Sequence, residues 1–343
     1  MNTPEHGLCP EKSATNNRPW EVRGEDRDFY DRELDSFVPE RVFDAHAHFY
    51  QRKHSLIIDP GMPDAVGFPE CGPLFDALHP GRNVAGLFIP IAKIGHFRQA
   101  NQWIADQIAG NDLCRGLFFV HPEDDPEWVR EEVRRLGLHG LKCYHTCAAR
   151  QPTWESDIPD YLPENLVKVA DEEGWVITLH MVKSRAAADE SNQHWIRYFC
   201  ENYPNMKLIL AHSARGFQPG HNIEGLPKLV GLDNLYFDTS ANCEPLAHQV
   251  ILRYFGHKRL LYGSDSPVSH MRGRSAAAVD SFIWLYPNTA TWKTTYANIE
   301  PVLVGLEHLR SLKWACWSER LDDSAVEDIF WNNAAALFEV QYK

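Results

Sequence analysis

No Lys/Arg-rich run occurs in this chain, and 34 Lys+Arg against 47 Asp+Glu leave a formal net charge of −13. A nucleic-acid partner, which demands a basic footprint to displace phosphate counterions, is therefore not expected. No apolar run approaches the roughly 20 residues that cross a bilayer, so no membrane partner is expected either. The stretch 1–17 is polar and lacks the apolar core of a secretory signal, which points to a cytoplasmic protein. Cys-x-x-Cys is missing: of eight cysteines only Cys143 and Cys147 lie close together, which argues against both a disulfide framework and a cysteine zinc site. The thiols are expected to be reduced and mostly buried. There is no low-complexity tract and no dividing linker.

What is present is alternation. Strand-like runs at 84–90, 116–121, 140–144, 175–180, 207–212, 234–239 and 259–264 follow a first strand that carries Val42 and Phe43. Between them apolar residues recur at helical spacing, as in Phe97, Ala100, Ile104, Ile108 and in Trp128, Val129, Val133, Leu136. Eight strand–helix repeats predict an α/β fold with a parallel sheet closed into a (β/α)8 TIM barrel. The expected organisation is an N-terminal extension over 1–40, with an amphipathic helix near 24–37 capping the barrel floor, and a single barrel domain over 41–343. Residues 49–83 are rich in Pro and Gly and read as a lid at a strand's carboxyl end. The segment after Asp265 reads as another wall of the mouth. A capping box, Ser324 to Glu327, starts a last helix expected to close the outer ring.

Asp44-Ala45-His46-Ala47-His48 ends the first strand, and residues at i and i+2 of a strand share a face, so both imidazoles can serve one ion. An isolated His-x-His also suits a polar strand end with satisfied rings. Three later strands change the balance, because they end in His180, in His212 and at Asp265. In a closed barrel, strand eight lies beside strand one and strands five and six lie across the mouth, so these five side chains can converge over the carboxyl-end opening.

The pieces Asp-Ala-His-Ala-His at 44–48, Gly-Leu-Lys at 140–142, Leu-His at 179–180, Ala-His-Ser at 211–213, Gly-Ser-Asp-Ser-Pro at 263–267 and Asn-Asn-Ala-Ala-Ala-Leu-Phe at 332–338 make the chain resemble the amidohydrolase superfamily. The similarity lies with the amidohydrolase-related branch that includes aminocarboxymuconate-semialdehyde decarboxylase. The resemblance implies one divalent metal, zinc first and manganese or iron next, held by His46, His48, His180 and Asp265. It also implies that His212 polarises the substrate or the attacking water. In some members the lysine matching Lys142 is carboxylated and bridges two metals; substrate binding is the expected role here. Arg185 and Arg215 follow the ligand histidines closely enough to reach a bound anion.

The resulting expectation is a hydrolase of a small carboxylated lactone, amide or ester. The ion would lower the pKa of a bound water from 15.7 to roughly 7, and Asp265 would take its proton. The alternative is a lyase, a decarboxylase or hydratase of an unsaturated or aromatic acid. A non-catalytic metal- or ligand-binding barrel is the third reading. A homodimer is the expected assembly at most.

Overall fold

The computed structural model describes residues 21–56 and 62–341. Its frame is eight parallel strands: β1 (Arg41–Gln51), β2 (Asn83–Pro90), β3 (Arg115–Gly116, resuming after Leu117 as Phe118–Phe119), β4 (Gly140–Cys143), β5 (Val176–Leu179), β6 (Lys207–Leu210), β7 (Leu235–Asp238) and β8 (Leu260–Leu261). They pair in sequence order. At Leu117 the two halves of β3 stay continuous, since Leu117 N–H donates to Phe88 O on one side and Val120 N–H to Lys142 O on the other. Past the last regular residue of β8, Ala45 N–H donates to Tyr262 O at 2.8 Å, Asp265 N–H to His46 O at 2.6 Å and His48 N–H to Ser266 O at 2.8 Å. This slanted parallel ladder joins the first strand to the last, and the expected barrel closes.

Helices α3 (Phe97–Ile108) and α4 (Pro126–Leu136) form where their spacing predicts, and α5 (Glu164–Glu173), α6 (Glu190–Asn202), α7 (Pro219–Gly225) and α8 (Pro245–Phe255) lie between the later strands, with α1 (Gly24–Glu33) and α2 (Phe68–Leu78) before β2 and α9 (Val304–Ser318) after β8. In α4 the Asp125 side chain accepts from Trp128 N at 2.9 Å, Pro126 occupies the first turn, and Gly137 ends the helix with φ 63°. Val129 and Val133 then face the core. No helix among the described residues is long and apolar enough to cross a membrane.

Two end elements exchange the places expected of them. The C-terminal helical run, Asp323–Glu327 through Asn333–Leu337, lies across the barrel floor: Trp331 and Phe338 pack on Phe43 at ring separations of 6.2 and 5.7 Å, and Asn333 donates to Leu260 O at 2.9 Å. Its cap is Asp322, which accepts from Ala325 N, and not Ser324. Helix α1 instead lies on the flank against α9, with Arg310 over the Phe29 ring at 5.0 Å and Leu303 N–H donating to Asp26 at 3.2 Å. An amphipathic pattern says that a face is buried, not what covers it.

The 49–83 insertion is only partly a loop. β1 extends to Gln51, Ala65–Val66 pairs antiparallel with Tyr50–Gln51, and α2 buries Leu74, Phe75 and Leu78. Pro69 falls in the first turn of α2, where its missing N–H is harmless. Residues 57–61 of the expected lid lie outside the described residues. After β8 the mouth gains an antiparallel hairpin, β9 (Arg274–Ala278) with β10 (Ser281–Leu285), whose Phe282 stacks on Phe217 at 4.5 Å.

Behind β8 lie His79, His248 and His270, all buried, and burial pulls their pKa values down to about 3, 4 and 4. The unfolded chain therefore binds protons that the fold refuses, so these rings stabilise the fold fully above about pH 6.5 and lose that contribution as pH falls toward 4. Asp44, pushed up to about 7 by burial, acts in the opposite sense over the acid range, but one carboxyl opposes three imidazoles. The midpoint of thermal unfolding should fall steadily between about pH 7 and about pH 4. A flat profile would mean that the rings are protonated in place.

Candidate metal centre

The site is set by a defect in β1. Asp44 pairs with Gly86 but Ala47 with Phe88, so β1 spends one extra residue between them. Below this bulge Phe43 and Ala45 face the barrel interior with Leu87, Leu117, Ile209 and Leu261. Above it the phase inverts, and His46 and His48 turn inward with ring centroids 5.1 Å apart. Gly86 permits the bulge, since a Cβ there would meet Asp44 O at 2.9 Å. Asp44 accepts from Ser264 N at 2.8 Å, from Ser264 Oγ at 2.5 Å and from His46 N at 3.1 Å, tying β1 to the end of β8.

His48 Nδ1 lies 3.0 Å from Ile89 O, a pure acceptor, so Nδ1 carries the proton. The other ring nitrogen, Nε2, lies 3.1 Å from Asp265 Oδ1. His46 Nδ1 is likewise bound to Asp238 Oδ2 at 2.8 Å, and its Nε2 lies 3.8 Å from Asp265 Oδ1. Burial holds His46 neutral, with its pKa pulled down to about 4. Burial alone would push the Asp265 carboxyl up, yet His48, His212 and His46 around it hold it below the usual carboxylate value. One possible ligand atom from each of His46, His48 and Asp265 thus lies within 4.8 Å of the other two in a buried space. A divalent cation is what makes such a convergence favourable, and two nitrogens with one carboxylate suit zinc. The donor set fits the metal that the sequence implies.

The structure carries the neighbouring groups outward from this set. His212 is 5.1 Å from His46 by ring centroid, and His180 is 5.1 Å from His212. His180 stands outside the three-atom cluster, but its Nδ1 is buried without a hydrogen-bond partner among the described residues, which leaves that nitrogen open to a ligand. His212 Nδ1 lies 3.0 Å from Ser240 O and so donates to it, leaving Nε2 as an acceptor. Lys142 is fully buried, has no hydrogen-bond partner for Nζ among the described residues, and sits 4.6 Å over the Tyr144 ring. Burial pulls its pKa down to about 8.

The two arginines separate. Arg215 is buried, stacks 4.0 Å over Trp154, and donates to Lys183 O at 3.1 Å, with no acidic partner among the described residues. Arg185 is turned to the rim, where it pairs with Glu224 and lies 3.9 Å from Asp280 at the hairpin tip. It latches the hairpin and is not brought to the cluster.

Arg215 and His212 arrive on an unusual stretch. His212, Ser213, Ala214 and Arg215 have φ of 57, 52, 56 and 54°, four consecutive left-handed residues without a glycine. Each costs roughly 1–2 kcal/mol relative to the right-handed form. The sequence reading of a strand running to His212 misses this turn, and it also misses Asp238, the last residue of β7, which accepts from His46, His212 N, Ser240 N and Ser240 Oγ.

Gly263 lets β8 approach this close, because a Cβ there would come within 2.8 Å of His46 Cβ. Gly263→Ala should displace His46 and weaken metal binding by at least about tenfold, the effect of losing a ligand's support. Zinc titration against a competing chelator measures it, and unchanged affinity would show that β1 yields without moving the ligand.

The barrel and its cluster can now be set beside known proteins. The chain is 24% identical over 220 residues to the gamma-resorcylate decarboxylase of Polaromonas sp. (strain JS666 / ATCC BAA-500), spanning 51% of this chain and 66% of that relative. Its structure resembles an amidohydrolase from Burkholderia multivorans solved with bound zinc (TM-score 0.57, 15% identity, covering 88% and 99% of the two chains). It also resembles a putative 2-pyrone-4,6-dicarboxylic acid hydrolase from Pseudomonas putida (TM-score 0.55, 16% identity, covering 89% and 100%). At such identities the structural likeness shows the barrel fold, and the assignment rests on the amidohydrolase sequence profile, which matches residues 43–340. A profile match that begins in the strand carrying the two histidines and ends just past the floor helix makes this chain a member of the metal-dependent amidohydrolase family.

Proposed function

We propose that the enzyme hydrolyses a small carboxylated molecule, a lactone, amide or ester. The carrying observation is Asp265, a buried carboxylate held ionised 3.1 Å from His48 Nε2. His46, His48, His180 and Asp265 would hold a divalent ion, which would supply Lewis acidity to the electrophile and to water. Asp265 accepts the proton of the attacking water and returns it to the leaving group. His212, whose Nε2 is free to accept, orients that water. Arg215 and Lys142, two buried cations without acidic partners among the described residues, anchor a substrate carboxylate. This reading takes both features of the substrate from the chain's own groups: an electrophilic carbon at the cluster and an anion toward Arg215.

The similarity to gamma-resorcylate decarboxylase favours a second reading, decarboxylation of an aromatic acid by the same residues. A screen of carboxylated lactones and amides against aromatic and unsaturated carboxylic acids separates the two. Acid release from a lactone or amide supports hydrolysis, whereas carbon dioxide release without hydrolysis replaces it with the second reading. Elemental analysis should find about one divalent ion per chain, zinc foremost. His46→Ala with His48→Ala should remove it, and retained metal would place the ion elsewhere.

A further inference from the structure

The left-handed turn at 212–215 is held by groups that the proposed chemistry does not use. Asn222 Nδ2 donates to Ser213 O at 2.8 Å and Asn242 Nδ2 to His212 O at 3.1 Å. Behind the turn, His248 Nε2 lies 3.1 Å from Asn242 O and must donate to it, so its Nδ1 accepts from Ser213 Oγ at 2.8 Å. His248 and Asn222 are buried, and Ser311 Oγ, itself bonded to Asn242 O at 2.8 Å, lies 3.0 Å from His248 Nε2. Gly216 closes the turn, and a Cβ there would meet Asn222 Nδ2 at 2.5 Å. None of these groups belongs to the metal cluster, yet the turn they grip carries His212 at one end and Arg215 at the other.

A run of four non-glycine left-handed residues persists only where its surroundings over-determine it, and such strain is often tied to function. Alternating side chains of an ordinary strand end would not hold one residue at the cluster and another, three positions on, against Trp154. We propose that the clamped turn His212–Arg215 fixes the distance between His212 and Arg215, so that Ser213, Asn222 and His248 are positioning residues and the spacing selects anionic substrates by length. This rests on the reading of Arg215 as the substrate's anchor.

Ala214→Gly tests it most directly, because glycine adopts φ near 56° without penalty and removes only a methyl group. The full-length metal-loaded enzyme is compared with Ala214→Gly and Ser213→Ala by thermal unfolding and by phenylglyoxal labelling, with mass spectrometry reading each arginine. The expected result is a melting midpoint within a few degrees of the parent, while labelling of Arg215 accelerates by about tenfold or more and that of Arg185 on the rim does not change. His248→Asn, which keeps an acceptor toward Ser213, should be labelled more slowly at Arg215 than His248→Leu. On any substrate found in the screen, Ala214→Gly should also narrow the discrimination between acids differing by one methylene. Parental labelling of Arg215 in both turn variants overturns the proposal, as does acceleration that only tracks a lowered melting midpoint. The anchor reading fails separately, by Arg215→Met leaving KM for the carboxylated substrate unchanged.

Discussion

Asp265→Asn should purify as a folded barrel that retains much of its metal and turns over roughly 10²–10⁴-fold more slowly than the parent, the loss expected for removing a general acid–base group. Three features of the residue lead to this. Its backbone is left-handed, with φ 63°, a conformation that asparagine tolerates as well as aspartate, so the substitution adds no strain. The amide keeps one oxygen for the ion but cannot accept a proton at neutral pH. The side chain is not a helix or turn cap either, since its carboxylate faces His48 Nε2 at 3.1 Å and His46 Nε2 at 3.8 Å. A capping residue would tolerate asparagine with little change in rate. Measuring kcat, metal content and melting midpoint on one preparation separates the roles, and near-parental kcat with metal bound would remove Asp265 from the chemistry.

How far the site could be read in advance depends on which distances the chain encodes locally. The barrel was legible because strand and helix spacing repeat along the chain, and closure then brings the ends of β1, β5, β6 and β8 to one rim whatever the details. His46, His48 and Asp265 meet because Ala45, His46 and His48 bond across to Tyr262, Asp265 and Ser266, a pairing that eight-strand closure already demands. The bulge was not legible, because simple alternation also puts His46 and His48 on one face and gives no sign that Phe43 and Ala45 share the interior below them. Arg185 and Arg215 look alike in sequence, each a few residues past a site histidine, His180 or His212. They are told apart by Glu224 and Asp280, which reach Arg185 from distant loops and leave Arg215 without an acid. The left-handed turn is opaque for a related reason: Ala-His-Ser-Ala-Arg holds no glycine, and its conformation is imposed by Asn222, Asn242 and His248, all remote in sequence from β6.

Asp238 is the residue whose loss should damage the centre most without touching substrate or metal. Four donors converge on it: His46 Nδ1 at 2.8 Å on Oδ2, and His212 N at 3.0 Å, Ser240 N at 3.1 Å and Ser240 Oγ at 2.5 Å on Oδ1. Burial would raise its pKa, but the contact with His46, and after it His212 and Ser240, holds the carboxyl far below its usual range. In Asp238→Asn the single amide oxygen satisfies the three donors on the Oδ1 side, which places the amide N–H2 against His46 Nδ1–H. Two donors cannot share that gap. His46 then relieves the clash by moving its proton from Nδ1 to Nε2, the nitrogen that faces Asp265, and so loses the lone pair a metal needs. Metal affinity should fall by about 10–100-fold, with activity recoverable at high metal concentration and with Asp265 still able to serve as base. Asp238→Ala should be worse for the fold, because it strands all four donors in a buried space. Competition between Asp238→Asn and a chelator, followed by the metal dependence of kcat, gives the measurement. Parental affinity in a folded Asp238→Asn protein would mean that His46 keeps its tautomer unaided, and the carboxylate would then belong to the Ser240 loop and not to the metal.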